Sequence, residues 1–110
     1  MSQLQEALKQ IKDPTVADAK TQFEQLITEG KAASQAFIQS SAEQLEQWVI
    51  DVSNKKMSQE EFDNLVGSQT IVAKNFVASQ ALAAQERAEK LTIKTAELAA
   101  TKLVPLLIAL

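Results

Sequence analysis

The sequence predicts an all-α protein, and three observations carry that prediction. Only two glycines and two prolines occur among 110 residues, and the chain is rich in Ala, Gln, Glu, Leu and Lys, which all favour helix. Apolar residues recur three and four positions apart through most of the chain, which puts them on one helical face. The stretch "MSQEEF" contains the capping box Ser58-x-x-Glu61 just before Phe62, which marks a helix start. Length and an apolar content of 45% predict a single helical domain over 1–110.

The first element is a short helix over about residues 2–12, with Leu4, Leu8 and Ile11 on one face. "KDPT" ends it, because Pro14 disfavours helical backbone at Asp13. Pro14 itself suits the first turn of the next helix, and Asp13 is its predicted N-cap.

The second helix is predicted over 14–54. Val16, Ala19, Phe23, Leu26, Gly30, Ala33 and Phe37 alternate spacings of three and four, the seam of a coiled coil. The seam resumes at Ser41, Leu45, Trp48 and Val52. Gly30 lies on it in phase, which predicts a close approach within one long helix; a stop at Gly30 is the alternative.

The third helix is predicted over 59–104. Phe62, Leu65, Gln69, Val72 and Phe76 give its seam, followed by Ala83, Arg87, Leu91 and Leu98. Asn54 to Ser58 are enough residues for an antiparallel hairpin turn. Registering the two helices from that turn sets Trp48 opposite Leu65, Phe37 opposite Phe76, and Gly30 and Ala33 opposite Gln80 and Ala83. Each helix would then be about 60 Å long at about 1.5 Å per residue. Pro105 should end or kink the third helix, since its ring clashes with the carbonyl of Thr101.

Composition excludes much chemistry. There is no His and no Cys, so no Ser-His-Asp triad, thiolate nucleophile or Glu-x-x-His di-iron site can be assembled, and zinc would have only carboxylates to bind, which is rare for a structural site. No glycine-rich phosphate loop is present. Glu86 and Glu89 alternate with Arg87 and Lys90, as on a solvated, ion-paired helix face. Arg87, on the seam, is expected to reach its edge and pair with Glu24 or Glu29. No enzymatic activity, cofactor or metal is therefore expected. A net charge of −3 and a pI near 4.9 argue against nucleic-acid binding. "MSQLQEALKQ" lacks the basic and apolar regions of a secretory signal, which makes a cytoplasmic location the expectation.

Two features point outward. Ile27, Ile38, Val49, Ile50, Val66, Ile71, Val77, Leu82 and Ile93 lie off the seam of a lone hairpin, and pairing hairpins into a four-helix bundle would bury them. From Leu103 to Leu110 every residue is apolar. This tail is predicted to turn at Pro105, cover the open end of the hairpin beside helix 1, and seal subunits together. The leading expectation is thus a non-enzymatic structural or interaction module that forms a homo-oligomer, with another protein as a possible further partner. Its expected interface is Phe23, Phe37, Trp48, Phe62, Phe76, Leu103, Leu106, Leu107, Ile108 and Leu110. The alternative is a lipid-surface binder, in which Arg87, Lys90, Lys94 and Lys102 meet anionic headgroups and the tail is an apolar foot.

Overall fold

Ser2 opens the first helix. In the computed structural model, which describes residues 2–110, its hydroxyl accepts from the amide of Gln5 while the Gln5 side chain accepts from the amide of Ser2. This reciprocal cap starts α1 (Gln3–Lys9), whose Leu4, Ala7 and Leu8 are buried. Asp13 then caps a 3-10 turn, Pro14–Val16, and not the α-helix directly. Its carboxylate accepts from the Thr15 hydroxyl at 2.7 Å and the Thr15 amide at 2.9 Å, which holds it below the usual carboxylate range.

All the described secondary structure is helical. The helix predicted over 14–54 is two helices, α2 (Ala17–Lys31) and α3 (Ala36–Ser53). Gly30 is helical, as the in-phase seam predicts, but the chain reverses just beyond it. A Cβ built on Gly30 would lie 2.8 Å from that of Ala42. The close approach is therefore to α3, the next helix in the chain, and not to Gln80 or Ala83. Lys31 and Glu46 bridge α2 to α3 at 2.9 Å.

After α3 the chain turns through a Schellman motif. The amide of Lys56 donates to Asp51 and that of Lys55 to Val52, with Lys55 at φ 62° in the left-handed region. Ser58 and Glu61 then form both bonds of the predicted capping box and start α4 (Gln59–Ala78). α3 and α4 lie antiparallel. Phe37 stacks on Phe76 with centroids 4.5 Å apart, and Gln69 donates to Gln44 at 3.3 Å, in keeping with the register set by the turn.

The helix predicted over 59–104 is also interrupted, at 79–81, where the Ser79 hydroxyl takes up the carbonyl of Phe76. Beyond it, 82–108 form one winding helix, α5. It is α-helical at Leu82–Glu89, Thr95–Leu98 and Val104–Ile108 and π-helical at Lys90–Lys94 and Ala99–Leu103. Pro105 does not end it. The π turn immediately before the proline widens the backbone where its ring would meet the Thr101 carbonyl, and the helix continues. Because the tail does not turn, it runs back to the closed end of the α3–α4 pair and not the open end. There Lys55 donates to the carbonyl of Leu107 at 3.3 Å.

These breaks fold two expected rods of about 60 Å into a body of 41 × 25 × 22 Å. α3 touches every other helix; α4 packs chiefly on α3 and α5. The main core joins Leu4, Leu8 and Ile11 to Phe23, Val49, Phe62, Leu103 and Leu107. Ile27, Ile38, Val49 and Ile50, expected to need a second subunit, are buried within the same chain. No helix among the described residues is long and apolar enough to cross a membrane.

Candidate functional site

The residues expected at an interface divide into three groups. Phe23, Phe62, Leu103 and Leu107 are fully buried in the chain's own core, so no second molecule can reach them without opening the fold. Phe37, Trp48, Phe76 and Leu106 are half-buried, and Ile108 and Leu110 are exposed. Of the second group, Phe37, Trp48 and Phe76 lie on one flank of α3 and α4.

That flank is a shallow groove of about 330 Å3. α3 supplies Phe37, Ser40, Ser41, Gln44 and Trp48, and α4 supplies Leu65, Ser68, Gln69 and Val72. The helical repeat places them: Phe37, Gln44 and Trp48 recur seven and four apart, and Leu65, Gln69 and Val72 four and three apart. Aromatic and aliphatic side chains sit at both ends. The Gln44–Gln69 bond and the serines occupy the middle. No lining residue is charged.

Leu65 and Val72 were predicted as seam residues and are instead 38% and 54% exposed. α4 has neighbours on too narrow an arc to cover its whole apolar stripe. The seam spacing located these two positions, but nothing local distinguishes them from Phe62, which occupies the same stripe and is fully buried.

No cluster of potential metal ligands occurs among the described residues. The buried hydroxyls of Ser53, Thr92 and Thr95 donate to the backbone carbonyls of Ile50, Ala88 and Lys90 at 2.7 to 2.8 Å. They are ordinary helix back-bonds. Arg87 reaches Glu29 of α2 at 3.6 Å, as its seam position predicts, and Lys90 reaches the same carboxylate at 3.8 Å. These pairs are largely exposed and contribute little to stability. A wider groove between α2 and α5, about 540 Å3, is walled by Lys90, Lys94 and Lys102 over Leu26 and Leu98, and is open along its length. Comparison with known family models, curated proteins and solved structures gives no match.

Proposed function

We propose that this protein is a non-enzymatic interaction module that self-associates through the groove between α3 and α4. One observation carries the reading: of the large apolar side chains the chain leaves open, Ile71, Leu82, Ile108 and Leu110 lie outside the groove, but Leu65 and Val72 lie together beside half-buried Trp48 and Phe37 on an uncharged face. Enrichment in aromatic residues and depletion of charge are the compositional marks of the core of protein interfaces, and the groove shares both. Trp is also among the residues most enriched at binding hot spots. The intersubunit four-helix bundle expected from the sequence would here consist of α3 and α4 from two copies.

The lipid-surface reading has support of its own: Arg87, Lys90, Lys94 and Lys102 are all exposed along α5. It loses its apolar foot, however, because Leu103, Val104 and Leu107 are packed inside the core. Two measurements test the pair of readings. Light scattering after size exclusion should give a multiple of 12.0 kDa at micromolar concentration, and anionic vesicles should not co-sediment the protein. A monomer that binds such vesicles in a salt-sensitive way would reverse the ranking, since screening weakens surface attraction over about 8–10 Å.

A further inference from the structure

We infer that the lysine-walled groove between α2 and α5 is a docking site for an acidic amphipathic helix of another protein. On α5 its lining follows a step of four residues: Lys90, Lys94, Leu98 and Lys102. On a regular α-helix a step of four overshoots each turn by about 40°, so such a row winds away to another face. The two π segments, Lys90–Lys94 and Ala99–Leu103, fall within the row. A π turn takes up more residues than an α turn and so brings each step of four back towards one line. All four residues accordingly border a single groove, opposite Gln22 and Leu26 of α2. Single π turns inside α-helices occur frequently at functional sites, and here they align a row of cations.

Charge and relief select the occupant. The chain carries a net charge of −3, yet this lining holds three lysines against the one carboxylate of Glu97. The lysines are weakly neutralised. Lys90 reaches Glu29 at 3.8 Å and Lys94 reaches Glu89 at 4.0 Å, both in exposed pairs. Lys102 forms no ion pair among the described residues. A partner's carboxylates can therefore join or replace these contacts. The apolar part is recessed: Leu26 is buried and Leu98 half-buried, whereas the three lysines are exposed. A lipid-bound helix sinks its apolar face below the headgroups; here the apolar residues lie behind the charges, out of reach of a flat bilayer. A continuous polyanion would meet Glu29, Glu89 and Glu97 beside the lysines. A helix suits both features. It lays an apolar stripe into a groove, and carboxylates four residues apart along it meet lysines four residues apart. The row spans at most about 18 Å, or about three turns of the incoming helix.

The groove shares no residue with the one between α3 and α4, so its test does not depend on self-association. The probe is a fluorescein-labelled helical peptide with a leucine stripe flanked by Glu at every fourth position. Two companions carry Lys for Glu, or Ser for Leu. Fluorescence anisotropy should show the Glu–Leu peptide binding the full chain, and both companions at least tenfold weaker. Lys94→Glu with Lys102→Glu, both at exposed positions, should weaken binding at least tenfold and leave the far-ultraviolet circular dichroism unchanged. The charge-matched pair Lys12→Glu with Lys74→Glu, outside the groove, should change it less than twofold. No binding at hundreds of micromolar peptide overturns the proposal. So does equal binding of the Ser companion, which makes the lysines a general cation surface, or binding that survives Lys94→Glu with Lys102→Glu. Phosphatidylserine vesicles that bind the chain through Lys94 and Lys102, where the peptide does not, overturn it in favour of a lipid surface.

Discussion

α3 and α4 are alike in sequence and unlike in burial. Both carry apolar residues at alternating spacings of three and four, and both face the same turn. Yet α3 buries eight of its 18 residues, from Ile38 to Ser53, and α4 buries two of its 20, Phe62 and Ala73. The difference lies in neighbours. α3 is surrounded by α1, α2, α4 and α5, whereas α4 has α3 on one side and α5 on the other. Periodicity tells which face of a helix turns inward; how wide an arc is covered depends on how many elements surround it. α4 is held best at its start, where Phe62 enters the main core with Leu103 and Leu107. Further along, it is a partly uncovered wall, and the candidate groove lies at its edge.

The largest expected effect is at the anchor the two helices share. Deleting 103–110 removes Leu103, Val104 and Leu107, none of which is exposed. Burial of each such side chain is worth about 1.5–3 kcal/mol, and a domain of this size has only about 5–15 kcal/mol of net stability. The truncated chain should lose its cooperative thermal transition. A truncated chain that melts within a few degrees of the full one would show that α5 and Phe62 do not depend on the tail.

The sequence made the helical class legible, along with the capping box at Ser58, the turn after Ser53 and the pairing of Phe37 with Phe76. Each is a short-range signal with a definite geometry. The reversal at 32–35 was legible only as the alternative stop at Gly30, one residue before α2 ends, and the one at 79–81 was not legible. No proline stands there, Gln35 and Ala81 make no side-chain cap to the helices that follow, and Gly30 lies inside α2. These breaks exist because folding back buries Ile27, Ile38, Val49 and Ile50, a tertiary gain that no local pattern announces. The groove was half legible: aromatic positions were named, but the exposure of Leu65 and Val72 depends on the neighbours α4 lacks.

Matched valines should sharpen the contrast. Val49 of α3 is fully buried and Val72 of α4 is 54% exposed. Val49→Ala should cost about 2 kcal/mol, roughly a 4–8 °C drop in Tm for each kcal/mol. Val72→Ala should stay within about 0.5 kcal/mol in the monomer, and its effect should grow with protein concentration if the groove is occupied by another copy. Native-state hydrogen exchange reads the same contrast residue by residue. Amides in the second half of α4 should exchange faster than those facing them in α3. Equal protection would mean that α4 is covered as fully as α3.

The two glycines carry the comparison to single atoms. Gly30 has Ala42 where its Cβ would go, at 2.8 Å, while Gly67 in α4 has nothing within 4 Å. Gly30→Ala should therefore push α2 off α3 and cost about 1–3 kcal/mol, as overpacking does. Gly67→Ala should stabilise by about 0.5–1 kcal/mol, because it removes an interior helical glycine and meets no obstacle. Two opposite shifts in Tm are expected from one chemical change. If Gly67→Ala is also destabilising, something covers that side of α4.

The smallest effect lies at the turn joining the two helices. Lys55 is the only non-glycine residue with positive φ among those described, at 62°. A side chain in the left-handed region costs about 1–2 kcal/mol, and glycine is the usual occupant of that position in a Schellman turn. The lysine has a compensating contact, since its ammonium donates to the Leu107 carbonyl at 3.3 Å and ties the turn to the tail. That bond is long and only partly buried, so its net worth should be at the low end of about 0.5–1.5 kcal/mol. Lys55→Met keeps the strained backbone and loses the tether; Lys55→Gly loses both. Met should therefore be slightly destabilising, and Gly neutral or slightly stabilising, with the Gly variant the more stable of the two by about 1 kcal/mol. If Gly proves the worse of the two, the left-handed turn is not what sets the stability of this corner, and the anchoring of α4 rests on Phe62 and the tail alone.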